Sequence, residues 1–377
     1  MDNSNEKKTI VICSNYAWTI YNFRLPLIKT LMQEGYRVEV LTQFDGHEKS
    51  FIDIVHKAHN LRLSRKGINP FTDIYTFVNI LVVLSKIKPT AFFSFTIKPV
   101  IYGSLACRFL RIPSIATITG LGTAFIKDNW ITKIVKLLYK ISLRNIALVF
   151  FQNSADKDLF LKYSLVQSKN ACLIPGSGVD IKKFTGSIPN KRDHVKFILI
   201  ARMLWDKGIG EFVDAARIVK KNYPNSNFLL LGPLEVENRS SISRDQVYKW
   251  VDSGLVSYLG NASDVRPHIN NACCIVLPSY REGLSRVLLE ASSMSRPLIA
   301  SNVPGCQELI EHSINGFLCK PKDAYDLASQ MVNFINLDYQ KKCIMGDNSR
   351  LNVVKKYTTN IVCEEYIKAL LKLDHQK

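Results

Sequence analysis

The chain has 377 residues, 47% of them hydrophobic and with no low-complexity tract, enough for two domains with full cores. Its formal charge of +18 is concentrated, with fourteen Lys and Arg but only two acids, Asp73 and Asp128, between positions 54 and 144. Disordered and collagen-like classes are excluded, and the field favours anionic partners: phosphate-bearing substrates, an acidic membrane surface or nucleic acid. The first residues, MDNSNEKKT, lack the apolar run of a signal peptide, and the longest apolar run, near 77–84, is short for a bilayer span. Nine scattered cysteines without a C-x-x-C spacing read as reduced core thiols of a cytosolic protein.

Short β-branched runs alternate with longer helical patterns, the signature of a parallel α/β architecture. In the first half the predicted strands are 9–14, 36–42, 91–95, 114–118 and 147–152. The helical pattern at 23–35 ends at Gly35, a predicted C-terminal cap. A stretch rich in Gly, Pro and charge, 175–194, reads as a linker. Strands then resume at 195–201, 227–232, 256–260, 273–279 and 297–301, and an amphipathic helix closes the chain at 359–373. The expectation is two Rossmann-like domains, 1–180 and 181–358, facing across a cleft, with 359–377 packing back toward the first. Ligands of open α/β sheets bind outside the carboxyl ends of the strands, so that is where the site is expected.

Two carboxylates, Glu282 and Glu290, lie eight positions apart in PSYREGLSRVLLEASS. A helix running through both would project them from nearly the same side. A helix N-terminus near Gly283 suits a phosphate, and flanking acids suit the hydroxyls of a sugar and a ribose. Upstream, the strand 195–201 runs into Arg202, with Lys207 and Gly208 following; two cations at a strand end offset a diphosphate.

Taken together, Ala201-Arg202 through Lys207-Gly208, SYREGLSRVLLEA, VPGCQELIEHSINGFL and PGSGVDIKKF (175–184) resemble the retaining family-4 glycosyltransferases of GT-B fold. YNFRLPLIKTLMQEGYRVEVLT, SRKGINPF, FTIKPVIYGSLACRFLRIP and TGLGTAF extend the resemblance to the subgroup assembling bacterial capsule, O-antigen and lipid-linked glycans. Enzymes adding N-acetylgalactosamine to diphospho-undecaprenyl-linked sugars are similar in pattern. The resemblance implies a UDP-sugar donor, a polyprenyl-diphosphate-linked acceptor and transfer with retention, without metal or other cofactor. It implies that Arg202 and Lys207 hold the diphosphate and that Glu282 contacts the transferred sugar. The amides of Gly283 and Leu284 would meet the distal phosphate, and Glu290 the ribose. The acceptor hydroxyl would attack on the face the diphosphate leaves, a donor phosphate oxygen taking its proton. On that basis Glu282→Ala and Lys207→Ala abolish most turnover and leave the fold intact.

Where many relatives carry a Gly-Gly loop, this chain has SNYAWTIYNFR at 14–24; Asn22 and Arg24 are expected near the start of the following helix, on the acceptor side. Thr119 and Gly120, opening the GLG turn, are expected there too, since glycine admits close backbone approach. None of the seven histidines falls between His59 and His194, so proton handling by a first-domain histidine is not expected. Residues 129–144 alternate an apolar stripe (Trp130, Ile134, Leu137, Leu138, Ile141) with a basic one (Lys133, Lys136, Lys140, Arg144). That pattern fits either a core helix or an anionic membrane surface. With the basic run 61–71 it points to peripheral attachment at the cytoplasmic leaflet.

Three rivals are weighed against this reading. Asp156-Lys157-Asp158 is nominally a metal-binding D-x-D, but reads better as the first turn of a helix capped by Asn153 or Ser154. The +18 charge could serve nucleic acid, though no helix-turn-helix, zinc or RNP pattern accompanies it. A GT-B-fold nucleotide-sugar epimerase would share the donor site.

Overall fold

In the computed structural model the described residues are 8–61, 70–121, 130–188, 194–235, 238 and 240–374. The chain divides into two compact units, Met1–Ser177 with Thr359–Lys377, and Gly178–Thr358. The division falls inside the Gly- and Pro-rich stretch, where Gly176 and Gly178 both adopt positive φ.

Unit 1 holds a seven-stranded parallel sheet in the order β3-β2-β1-β4-β5-β6-β7. The strands are β1 (Thr9–Tyr16), β2 (Arg37–Gln43), β3 (Lys57–Asn60), β4 (Ala91–Phe95), β5 (Ser114–Ile118), β6 (Leu148–Phe151) and β7 (Ala171–Leu173). Its helices are α1 (Ala17–Phe23), α2 (Leu25–Gln33), α3 (Pro70–Ile87), α4 (Ser104–Leu110), α5 (Trp130–Ser142) and α6 (Ser154–Lys162). Unit 2 holds β8 (Lys196–Ile200), β9 (Asn227–Leu231), β10 (Ser257–Tyr258), β11 (Cys274–Leu277), β12 (Leu298–Ser301) and β13 (Gly316–Cys319), ordered β10-β9-β8-β11-β12-β13. Around them lie α7 (Ile209–Lys220), α8 (Arg244–Asp252), α9 (Arg266–Asn271), α10 (Arg286–Ser293), α11 (Ala324–Asn336) and α12 (Tyr339–Lys356). In each sheet the strand order reverses beside the first strand of the unit, between β1 and β4 and between β8 and β11. That reversal opens a crevice at the strands' carboxyl ends, the ligand position of open α/β folds.

The central strands are continuous apolar runs because helices cover both faces of each sheet. Phe197, Phe212 and Phe228 pack on one side of the second sheet, and Ile198, Ile275 and Leu289 on the other. The last helix, α13 (Thr359–Asp374), belongs to unit 1. Its buried Tyr366 lies against Phe93, Phe95 and Phe150, and its hydroxyl is 2.6 Å from Thr117 Oγ1.

The predicted helix at 23–35 is α2, which begins at Leu25 with Pro26 in its first turn and ends ahead of Gly35 at φ 86°, with a separate helix, α1, directly before it. The apolar run near 77–84 extends into the 18-residue α3, by length and composition able to cross a membrane, yet Ile80 and Leu84 are buried in the unit 1 core. Asn153 caps α6, its side chain accepting the Asp156 N–H at 2.8 Å, and Asp156 is a fully buried acid of the first helical turn. All nine cysteines are free thiols, and burial pushes Cys319 up to about 12.

Candidate donor site

The residues expected to hold the donor gather on loops leaving the carboxyl ends of β8 and β11. Arg202 stands two residues beyond β8 with its side chain exposed. A single 3₁₀ turn, Trp205–Lys207, then brings Lys207 round to Glu282, Nζ to Oε1 at 2.5 Å. Both side chains are mostly covered, with 19% and 15% of their surface open. A pair so placed is accessible to a ligand while keeping its charges satisfied.

Two glycines allow this approach. Gly208, at φ 72°, precedes α7 where a Cβ would stand 2.0 Å from the carbonyl oxygen of Pro278. Gly305, at φ 84°, lets the loop after β12 lie against Glu282; a Cβ there would come within 2.5 Å of the Glu282 Cβ. Backbone bonds lock that contact, Glu282 N donating to Pro304 O at 3.0 Å and Ser285 N to Gly305 O at 2.8 Å. The loop after β11 is also tied to the loop after β8. Tyr280 N donates to Asp206 O, and the Tyr280 hydroxyl donates to Glu211 at 2.7 Å. Burial first, then the Glu211 carboxylate, holds the Tyr280 phenol well above its ordinary range.

The helix argument for the two glutamates does not hold. Ser285 caps α10, which starts at Arg286, so Glu282 lies in the preceding loop and only Glu290 is helical. Gly283 is buried and Leu284 half-buried on that loop, directly ahead of the capped helix. Glu290, on the second turn, accepts from Arg286 Nε at 2.8 Å, and Arg286 also donates to Gly178 O. Burial raises the Glu290 carboxyl above its ordinary value, against the opposing pull of Arg286. Arg286 was not singled out in the sequence; its i, i+4 spacing to Glu290 was the available signal. The interdomain signature reaches the same helix, Ser293 Oγ donating to Phe184 O at 2.6 Å.

In unit 1, Asn22 is half-exposed in the last turn of α1, its side chain donating to Trp18 O at 3.0 Å. Arg24 is buried, with its guanidinium 3.9 Å over the Phe95 ring at the end of β4. Thr119 and Gly120 follow β5, both half-exposed, Gly120 at φ 121°. Gly122, the last residue of the GLG turn, lies outside the described residues, as does most of the basic run 61–71. The sequence reading passed over a row of polar side chains at the carboxyl ends of β1, β2 and β4. Ser14 Oγ, Asn15 Oδ1, Thr42 Oγ1, Gln43 Oε1 and Ser94 Oγ are buried, with no hydrogen-bond partner among the described residues. Buried polar atoms are costly unless something satisfies them, so this crevice is suited to water or a polar ligand. Two cavities of unit 1, about 620 and 770 Å³, are lined by other residues and include none of the donor set.

Residues 194–336 match the family pattern "Glycosyl transferases group 1", and residues 10–153 match "Glycosyl transferase 4-like". The chain is 29% identical over 372 residues to the N,N'-diacetylbacillosaminyl-diphospho-undecaprenol alpha-1,3-N-acetylgalactosaminyltransferase of Campylobacter jejuni, covering 94% of this chain and 96% of the relative. It is 26% identical over 352 residues to the UDP-Gal:alpha-D-GlcNAc-diphosphoundecaprenol alpha-1,3-galactosyltransferase of Escherichia coli, covering 88% and 87%. Among solved structures, a sucrose-phosphate synthase from Thermosynechococcus elongatus superposes with a TM-score of 0.80 at 19% identity over 98% of this chain and 100% of that one, a likeness of fold. With two reversed-order parallel sheets and a family match on each, the chain belongs to the glycosyltransferases of GT-B fold.

Proposed function

We propose that the chain moves a hexose or N-acetylhexosamine from a UDP-sugar to a polyprenyl-diphosphate-linked saccharide, with retention, in bacterial surface glycan assembly. The observation that carries this reading is the Lys207–Glu282 pair at the reversal point of the second sheet, with exposed Arg202 earlier on the same loop as Lys207. Lys207 and Arg202 stabilise the departing diphosphate as its negative charge grows, a role that requires no bound metal. Glu282 takes a hydroxyl of the sugar while remaining partnered by Lys207. Glu290, oriented by Arg286, receives the ribose hydroxyls. The acceptor oxygen bonds to the anomeric carbon on the face from which the diphosphate departs; a phosphate oxygen of the donor takes its proton. Asn22, Thr119 and Gly120 stand on the acceptor side, while Arg24 supports that end of the sheet from within. Both relatives above are named for alpha linkages made on diphospho-undecaprenol-linked sugars, which favours such an acceptor and, from an α-linked donor, retention.

A lipid-borne acceptor calls for attachment to the cytoplasmic leaflet. Exposed Lys133 and Lys140 on α5, exposed Arg144 just past its end, and exposed Trp130 at its start support it. The test is a panel of UDP- and GDP-sugars, with and without a short prenyl-diphosphate saccharide, read by nucleotide release and product mass. The expected result is one sugar added to the acceptor, dependent on a UDP-sugar and unaffected by EDTA. Release of an altered free sugar without acceptor contradicts the proposal and identifies an epimerase.

A further inference from the structure

Two helices of unit 1 have their apolar faces turned outward. On α3 the side chains packed inward are Asp73, Thr76, Ile80 and Leu84. The opposite face carries Phe71, Ile74, Tyr75, Val78 and Val82, exposed by 44% to 84%. At about 100° per residue these five fall within one arc of about 100°. On α5 the buried residues are Thr132, Val135, Tyr139 and Ser142, and the exposed ones Trp130, Ile134, Leu137 and Ile141. The two helices flank α4, whose Phe109 is exposed and has its ring 5.9 Å from Phe77 of α3. A helix on a water-facing surface has the reverse arrangement, and a contiguous apolar patch marks an interaction face.

Charge selects the occupant. Lys133 and Lys140 are exposed on α5, Arg144 two residues beyond it, and Arg108 and Arg111 at the end of α4. The acid of α3, Asp73, is buried and held by Lys98 at 2.8 Å, and α4 and α5 contain no acid. Apolar side chains bordered by cations, with Trp130 and Tyr75 among them, match an anionic bilayer at headgroup depth. The packing of Ile80 and Leu84 with Val11, Cys13 and Phe92 keeps α3 on the unit, so the helix docks by one face and does not span.

We propose that α3 inserts its Ile74–Val78–Val82 face into an anionic bilayer alongside the α5 stripe, which makes attachment hydrophobic as well as electrostatic. This rests on the membrane reading above and assigns a second, uncharged anchor to it. The test is flotation of the full chain with mixed phosphatidylglycerol–phosphatidylcholine vesicles at low and high salt. It compares wild type with the triple variant Ile74→Ser/Val78→Ser/Val82→Ser and with Lys133→Gln/Lys140→Gln/Arg144→Gln, melting temperatures being checked for each. Wild type is expected to keep part of its binding in high salt. The α3 variant is expected to bind about tenfold less or weaker and to be released fully by salt, while turning over a short soluble acceptor normally. If the α3 variant binds as wild type does, α3 is no anchor, although attachment through α5 stands. If wild type fails to bind vesicles, the membrane reading itself fails. A wild-type dimer that the α3 variant converts to monomer, with vesicle binding unchanged, assigns the face to a second copy and overturns the proposal.

Discussion

Lys207 and Glu282 hold each other at 2.5 Å, and Arg286 holds Glu290 at 2.8 Å, so each acid of the donor site already has a cation beside it. Arg286 satisfies the largely covered Glu290 carboxylate before any ligand arrives. In the proposed complex the donor diphosphate would share Lys207 with Glu282. The raised Glu290 carboxyl has a consequence for pH. On the proposed role of Glu290 its ionised form would accept the ribose hydroxyls, so the KM for the donor is expected to rise on acidification while ordinary carboxylates are still ionised. Glu290→Gln is expected to weaken donor binding at neutral pH and to remove that acid limb; an unchanged pH profile in the variant would exclude Glu290 from the nucleotide site. Residue type and company singled out Lys207 and Glu282, which lie side by side in the structure. The Arg286 partnership was hidden because an i, i+4 ion pair is common on exposed helices and gains meaning only once Glu290 is known to be buried.

At the scale of elements, the strands read best where they are apolar on both faces. The edge strands β3, β7 and β13 were not predicted. β3 is KAHN, polar and half-exposed, joined to β2 in part through His59 and Glu39 at 2.7 Å; β7 has three residues. β3 and β7 escape pattern reading because one side lacks a neighbour and burial selects their composition less, whereas β13 is mostly buried but only four residues long. The start of α10 was misread for a different reason. Serine at 285 is the cap, and a cap is fixed by local hydrogen bonding that a spacing between two glutamates does not report. Element contacts also give Gly305 a role no motif conveys. An alanine there is strained at φ 84° and drives its Cβ into Glu282. Gly305→Ala is expected to cost about 1–3 kcal/mol of stability. It is also expected to cost about a hundredfold in turnover, because a displacement near 1 Å disrupts reacting geometry. Normal turnover in the variant would show that the contact does not position Glu282.

For the whole molecule, the sequence indicated two Rossmann-like halves, and the strand order of each sheet, with the family matches, makes that GT-B. The sequence led to an amphipathic tail expected to pack back toward the first domain, and α13 groups with unit 1. Its partner became evident when Tyr366 was found among Phe93, Phe95 and Phe150. The outward apolar faces of α3 and α5 were beyond the sequence for a simpler reason. Periodicity locates a stripe but does not say which side of the helix the sheet covers. The charge of +18 acquires a location in the same way, since its cations border those faces and also line the donor loops.

The most direct measurement is a crystal structure of the whole chain soaked with UDP. The diphosphate is expected between Arg202 and Lys207, beyond the carboxyl ends of β8 and β11, with both ribose hydroxyls on Glu290. Nucleotide bound elsewhere, or none bound at millimolar UDP, would contradict the assignment of unit 2 as the donor-holding half.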